Sequence, residues 1–284
     1  MSQPLIEAIL AEKPSTTLFH YTSQEGLLGI LKTKALWASN IHYSNDAAEL
    51  AYAMELVQST LDNALRSERG PFNDWYGAVL EELDTIRHVN LFAFSLSEQG
   101  DLLSQWRGYC PEGIGFSIGF EYDDLLEPMK RQEFRLVKCV YDLKQHQQII
   151  VELGEPAIAC LDNPNQQDRS ARLKQAVQIF LDGLIRIGPI MKHPSFHEER
   201  EWRLISGTVS IKHPNIRLRP GKNMLVPYFE FGLAKANGEV AVSTVHVGPN
   251  PHMYLSMQSV IAALTSLGIT FHNVRRSEVP YRGW

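Results

Sequence analysis

The strongest constraint on this fold is the way short strand-like segments interleave with longer helical ones. Ile114, Phe116, Ile118 and Phe120 alternate with Gly115, Ser117 and Gly119, a period of two that predicts a strand. Segments 91–96, 134–141, 201–205, 224–231 and 240–247 predict further strands. Between them Leu50, Met54, Val57, Leu61 and Leu65 recur at helical spacing. So do Leu173, Ala176, Val177, Phe180, Leu181, Leu184 and Ile185, which end at Gly188-Pro189, and Tyr254, Met257, Ile261 and Leu264, which end near Gly268. The order has no regular βαβ rhythm, and neither GxGxxG nor GxxxxGK[ST] occurs, which argues against a Rossmann or P-loop enzyme. The pattern predicts an α+β fold around mostly antiparallel strands.

Composition narrows the function classes. With 27 Lys plus Arg against 32 Asp plus Glu the net charge is −5, which argues against coating nucleic acid by bulk electrostatics. A local patch remains open, and Lys212, His213, Arg217, Arg219 and Lys222 form the best basic stretch, read as a hairpin around Pro220-Gly221 without interleaved aromatics. A 44% hydrophobic and 21% charged content is ordinary globular usage. Cys110, Cys139 and Cys160 are too few and too scattered for a disulfide framework or zinc knuckle. No run approaches the ~18 apolar residues of a membrane span, and Met1 to Lys13 has no basic leader. A cytoplasmic protein that does not engage a membrane is expected.

Four clusters carry candidate chemistry. In the first, a strand ends in His20-Tyr21-Thr22, with Thr22 and Glu25 at capping-box spacing for a helix over 24–32. A histidine at such a strand-to-helix turn faces a cleft or serves as a hydrogen-bonded structural residue. In the second, Tyr43-Ser44-Asn45-Asp46 precedes the Leu50 helix; Asn45 or Asp46 is its N-cap, and capping alone explains the polar residues. In the third, Trp106 and Tyr109 flank Arg107, whose fork suits phosphate or carboxylate, and the following strand has a small Gly115, Ser117, Gly119 face open to close approach. The fourth is Glu199-Arg200-Glu201-Trp202-Arg203: if extended, it puts Glu199, Glu201 and Arg203 on one face and Trp202 on the other. Such a face is either a site or a solvated edge strand. His193 and His197 have a superficial metal spacing, but Pro194 interrupts the helix that would align them, so no metal is expected.

Together these pieces resemble a bacterial family, domain of unknown function twenty-nine seventy-one, over about Phe19 to Gly248. The matching pieces are Phe19-His20-Tyr21-Thr22, the Leu27 to Leu31 helix, Trp37-Ala38-Ser39, Asn45-Asp46 with Glu49, Ser95-Leu96-Ser97, Trp106 with Tyr109 and Gly113, and Lys192 through Arg203. Ala47 stands where that pattern leads one to expect proline. The family looks like a remote branch of the ADP-ribosyltransferases. The resemblance implies an ADP-ribosyltransferase-like split sheet with surrounding helices, a single elaborated domain over 1–284 and a helical insertion around 142–190. It implies NAD as substrate, His20 on the adenine-side ribose, Glu201 on the nicotinamide ribose, and Glu199 orienting or deprotonating the acceptor. Tyr21 and Thr22 accompany His20 at the cofactor. Tyr43, Tyr109 or Trp106 would stack on nicotinamide, and Arg107 or Arg203 would bind the pyrophosphate.

The expected activity is transfer of ADP-ribose to a macromolecular acceptor, protein or nucleic acid, the chemistry of bacterial toxins and antiviral defence components, with a neutralising partner as a further expectation. NAD glycohydrolysis, a non-catalytic nucleotide-sensing module and a metal-dependent nuclease are the rivals.

Overall fold

The computed structural model describes residues 3–43, 47–67, 72–110, 115–162, 168–221 and 223–280. Its organising element is strand β3, Phe92–Ser97, buried on both faces except at Ser95. One edge of β3 is fully paired: β6, Glu201–Ser206, runs antiparallel along it from Ala93↔Ile205 to Ser97↔Glu201. The opposite edge is shared between two strands. β1, Leu18–Thr22, meets it at Phe19↔Ser97, while β2, Ala35–Asn40, meets it at Ser39↔Ala93 and Asn40↔Phe92. The sheet therefore splits there, and among the described residues no strand pairs with the Phe94 to Leu96 edge on that side.

From the split the sheet extends both ways. β1 pairs with β4, Phe116–Phe120, then β9, Ala241–Val247, and β10, Thr270–Arg276. β2 pairs with β8, Leu225–Gly232, and then β7, Ile216–Pro220. β5, Phe134–Lys138, flanks β6. Among the described strands only β9 and β10 pair in parallel, joined by helix α9, Met253–Ser266, in the crossover a parallel pair requires. The fold is α+β with a mixed, largely antiparallel ten-stranded sheet.

Two apolar layers cover the sheet. On one face, α3 (Ala47–Ser67), α4 (Asn73–Glu82), α7 (Leu143–Leu161) and α8 (Arg169–Ile187) bury Val57, Trp75, Ile149 and Phe180 with Ala93, Val137 and Ile205 of the strands. On the other, α2 (Gln24–Thr33), α6 (Tyr122–Gln132) and α9 bury Leu31, Met129 and Leu264 with Phe92, Phe94, Trp202 and Leu204. Alternation in β6 thus runs as the sequence predicts, but the charged face is no solvated edge. β6 lies between β3 and β5, and all six of its residues are buried.

Local details differ from expectation. The N-cap of α2 is Ser23, whose Oγ accepts from the Gly26 N–H at 3.1 Å, because Thr22 is still in β1. β4 spans Phe116–Phe120, with Ile114 outside the described residues, and β5 ends at Lys138, not Tyr141. Asn45, Asp46, Gly113 and most of the 162–168 loop lie outside the described residues. The small face of β4 admits no ligand: a Cβ on Gly119 would lie 2.8 Å from the Phe19 ring, and one on Gly115 would lie 2.4 Å from Cys110 Sγ.

Candidate active site

A cleft occupies the notch where β1 and β2 part. Its wide arm, about 540 Å³, is lined by Thr22, Trp37, Tyr43, Phe94, Arg219 and Asn223 among others. Its narrow arm, about 40 Å³, is lined by Phe19, Tyr21, Ser97, Gln105, Glu199 and Glu201. The arms share His20, Ser95 and Tyr109. By strand alternation His20 and Glu201 project from opposite faces of the sheet, since Phe19, Ser97 and Glu201 are in register. They line one cavity because the sheet is open between β1 and β2.

His20 is fixed at this junction. Its Nδ1 lies 3.1 Å from the Ser95 carbonyl oxygen, and its ring packs on Phe94 with centroids 4.1 Å apart. Because a carbonyl can only accept, Nδ1 carries the proton and Nε2 is left as an acceptor. Burial pushes the imidazole down to about 4, against partial opposition from the Ser95 hydrogen bond. At neutral pH His20 is an uncharged acceptor, suited to a hydroxyl rather than a phosphate.

The carboxylates sit in a buried ion cluster. Glu201 Oε1 accepts from Arg203 Nε at 2.8 Å, while its Oε2 accepts from Lys192 Nζ at 2.5 Å and Arg203 Nη2 at 3.2 Å. Lys192 Nζ also donates to Glu199 Oε2 at 2.6 Å. Two cations and two carboxylates balance. Burial alone would raise the Glu201 carboxyl, but the Arg203 guanidinium and then the Lys192 ammonium outweigh it and hold it at about 2. Register places Ser95 opposite Arg203 and Ser97 opposite Glu201, so small side chains leave room for the charges. Ser97 Oγ donates to the Glu199 carbonyl at 2.7 Å, the Glu201 N–H donates to Tyr141 Oη at 2.9 Å, and Arg200 turns the chain through a left-handed φ of 43°. Glu199 belongs to the 3₁₀ turn Pro194–Glu199 rather than to β6, yet shares Lys192 with Glu201.

Several expected contacts do not form. Arg203 cannot hold a pyrophosphate: it is 1% exposed, and its guanidinium binds Glu201 and the Pro189 carbonyl. Trp106 cannot stack on nicotinamide, since it is fully buried, donates Nε1 to Asp101 at 2.7 Å and packs edge-on to Tyr21. Tyr21 borders the narrow arm, but its hydroxyl donates to the Gln99 carbonyl and accepts from the Leu102 N–H, which anchors the 98–102 loop. Arg107 is exposed and lines neither arm. Tyr109 stands at the junction and Tyr43 in the wide arm, both with exposed rings. His193 Nδ1 accepts from the Ser195 N–H, and His197 Nδ1 bonds the Pro194 carbonyl.

Sequence reasoning misses Lys192 as a member of the cluster and Arg219 as a wall of the wide arm. Arg219 Nη2 donates to Ser39 Oγ at 3.2 Å, and Trp37 beside it stacks on Tyr228 with centroids 4.9 Å apart. The basic hairpin thus gains its aromatic neighbours from β2 and β8, which no local spacing reveals.

Residues 105–204 match the model of a family described as Protein of unknown function (DUF2971). The matched stretch carries Tyr109, Lys192, Glu199, Glu201 and Arg203; His20 and the other residues of the wide arm lie outside it. No curated protein and no solved structure matches the chain. No helix among the described residues is long and apolar enough to cross a membrane.

Proposed function

We propose that this cleft binds NAD and transfers its ADP-ribose to a macromolecular acceptor, in an ADP-ribosyltransferase-like fold. The observation that carries the reading is the convergence of neutral His20, Tyr109 and the Glu199–Glu201 pair on one cavity. In this reaction the bond between ribose C1 and the nicotinamide nitrogen breaks, and its electron pair leaves with nicotinamide. Positive charge then spreads over C1 and the ring oxygen, and an acceptor oxygen or nitrogen bonds C1 as its proton leaves. The Glu201 carboxylate, held ionised at the water-poor slot, favours that charge over the ground state, because its orientation is already set.

The dimensions suit a division of labour. A slot of about 40 Å³ has room for little more than a water, so no ring enters it. The dinucleotide would lie in the wide arm, with Tyr109 beside the pyridinium ring and a ribose hydroxyl donating to His20 Nε2. Arg219 would face the phosphates from the wall. The water-sized slot beside two carboxylates also favours a second reading, glycohydrolysis, in which water is the acceptor.

Purified protein incubated with NAD is expected to release nicotinamide, and Glu199→Gln and Glu201→Gln are expected to suppress release. Label from NAD recovered on protein or nucleic acid identifies transfer; free ADP-ribose as sole product identifies hydrolysis. Equal release by both variants and wild type, or no detectable NAD binding, would overturn the assignment.

A further inference from the structure

We propose that Lys192 is a positioning residue that tethers Glu199 in working orientation, while Glu201 is anchored by Arg203. This rests on the transferase or hydrolase reading above. The two carboxylates are unequal. Glu201 is contacted through both oxygens by the Arg203 guanidinium, and its side chain is 4% exposed. Glu199 has 19% of its side chain exposed and meets the Lys192 ammonium at 2.6 Å. Glu199 is therefore the carboxylate nearer solvent, and Lys192 joins it to the buried pair.

Lys192 is well placed for this. Its side chain is 3% exposed, its backbone N–H donates to the Val140 carbonyl at 2.9 Å, and Met191 beside it bridges Val140. The Phe196 ring lies 5.4 Å from Nζ and covers the ammonium. A cation fixed at its backbone, screened from water and shared by two carboxylates can set the distance between them. A surface lysine on a flexible stem cannot. The charged and titratable groups around it are Glu199, Glu201 and Arg203, with Tyr141 from the segment after β5, the adjacent His193 and, across the slot, His20.

The test is the pH dependence of nicotinamide release by full-length wild type, Lys192→Met, Lys192→Arg, Glu199→Gln and the double variant Lys192→Met/Glu199→Gln. In Lys192→Met, kcat is expected to fall about 10²-fold with KM little changed, as for a misplaced reacting group. The acid limb should move to higher pH, since two carboxylates then share one cation. The double variant should lose less than the product of the two single losses, because the Lys192–Glu199 contact is removed only once, while the Lys192–Glu201 contact is lost in addition. Lys192→Arg should keep the acid limb of wild type at reduced kcat. Losses that multiply in the double variant, or an unmoved acid limb in Lys192→Met, would overturn the tether. If Lys192→Met fails to fold, an acid limb displaced in Lys192→Arg overturns it and an undisplaced one supports it. Wild type without nicotinamide release would sink the functional reading instead. The tether is then read from carboxyl ¹³C titration of Glu199, whose midpoint rises in Lys192→Met if the ammonium holds it and stays put if it does not.

Discussion

The two arms of the cleft differ in how they hold polar groups. At the narrow arm Glu199 and Glu201 form the wall, Lys192 and Arg203 hold them from behind within 3.2 Å, and three of the four are almost fully buried. In the wide arm Trp37 and Tyr43 are exposed, and Arg219 donates a hydrogen bond to the Ser39 hydroxyl. Charge can be fixed in the first arm because equal opposite charge compensates the loss of water. The second offers flat apolar faces and a fork that adapts to a ligand. Chemistry and affinity are therefore separable here: substitutions in the narrow arm should act on stability and turnover, those in the wide arm on binding.

The largest effect is expected at Arg203. Arg203→Met leaves Glu201 buried with one cation fewer and should cost about 3–5 kcal/mol in chemical denaturation; a cost near zero would mean that the cluster is hydrated. Acid comes next. The folded His20 resists protonation down to about 4, whereas an unfolded histidine takes up a proton near 6.5, so stability present above 6.5 is lost as pH falls from there toward 4. At about 1.4 kcal/mol for each pH unit between those two midpoints, that loss approaches roughly 3 kcal/mol. Glu201 acts lower: its contribution is full above 4.5 and disappears as pH falls toward 2. Urea midpoints of wild type and His20→Gln across pH 7 to 4.5 separate the two groups, because the variant should lose the upper part of the decline. Equal declines would mean that His20 is not held neutral by burial.

Turnover and affinity probe the two arms one at a time. Glu199→Gln should lower kcat about 10²-fold with little change in thermal midpoint, since Glu199 is the more exposed carboxylate. In the wide arm Arg219→Ala and Trp37→Ala should each raise KM about tenfold with kcat unchanged. A wide-arm variant that lowers kcat alone would erase the distinction between the arms.

Much of this arrangement is legible in the sequence, and its gaps have physical causes. The period-two pattern of 201–205 gives both the strand and the alternation of Glu201 and Arg203 against Trp202 and Leu204. It cannot say that β5 and β3 enclose the strand, and enclosure turns a charged surface into an interior cluster. Lys192 is silent because its role depends on the Val140 bridge, a contact across 52 residues. Trp106 and Arg203 mislead for a shared reason: residue type signals binding chemistry, but Asp101 and Glu201 already satisfy them. The split itself rests on β1 and β2 each touching β3 for one or two residues, a property of pairing and not of either strand alone.

The decisive measurement is a crystal structure of the protein with a non-hydrolysable NAD analogue. The dinucleotide is expected in the wide arm, with a ribose hydroxyl within hydrogen-bonding distance of His20 Nε2 and the nicotinamide-side C1 at the mouth of the Glu199–Glu201 slot. An analogue bound outside the notch between β1 and β2, or one whose C1 lies away from both carboxylates, would contradict the assignment of this cleft.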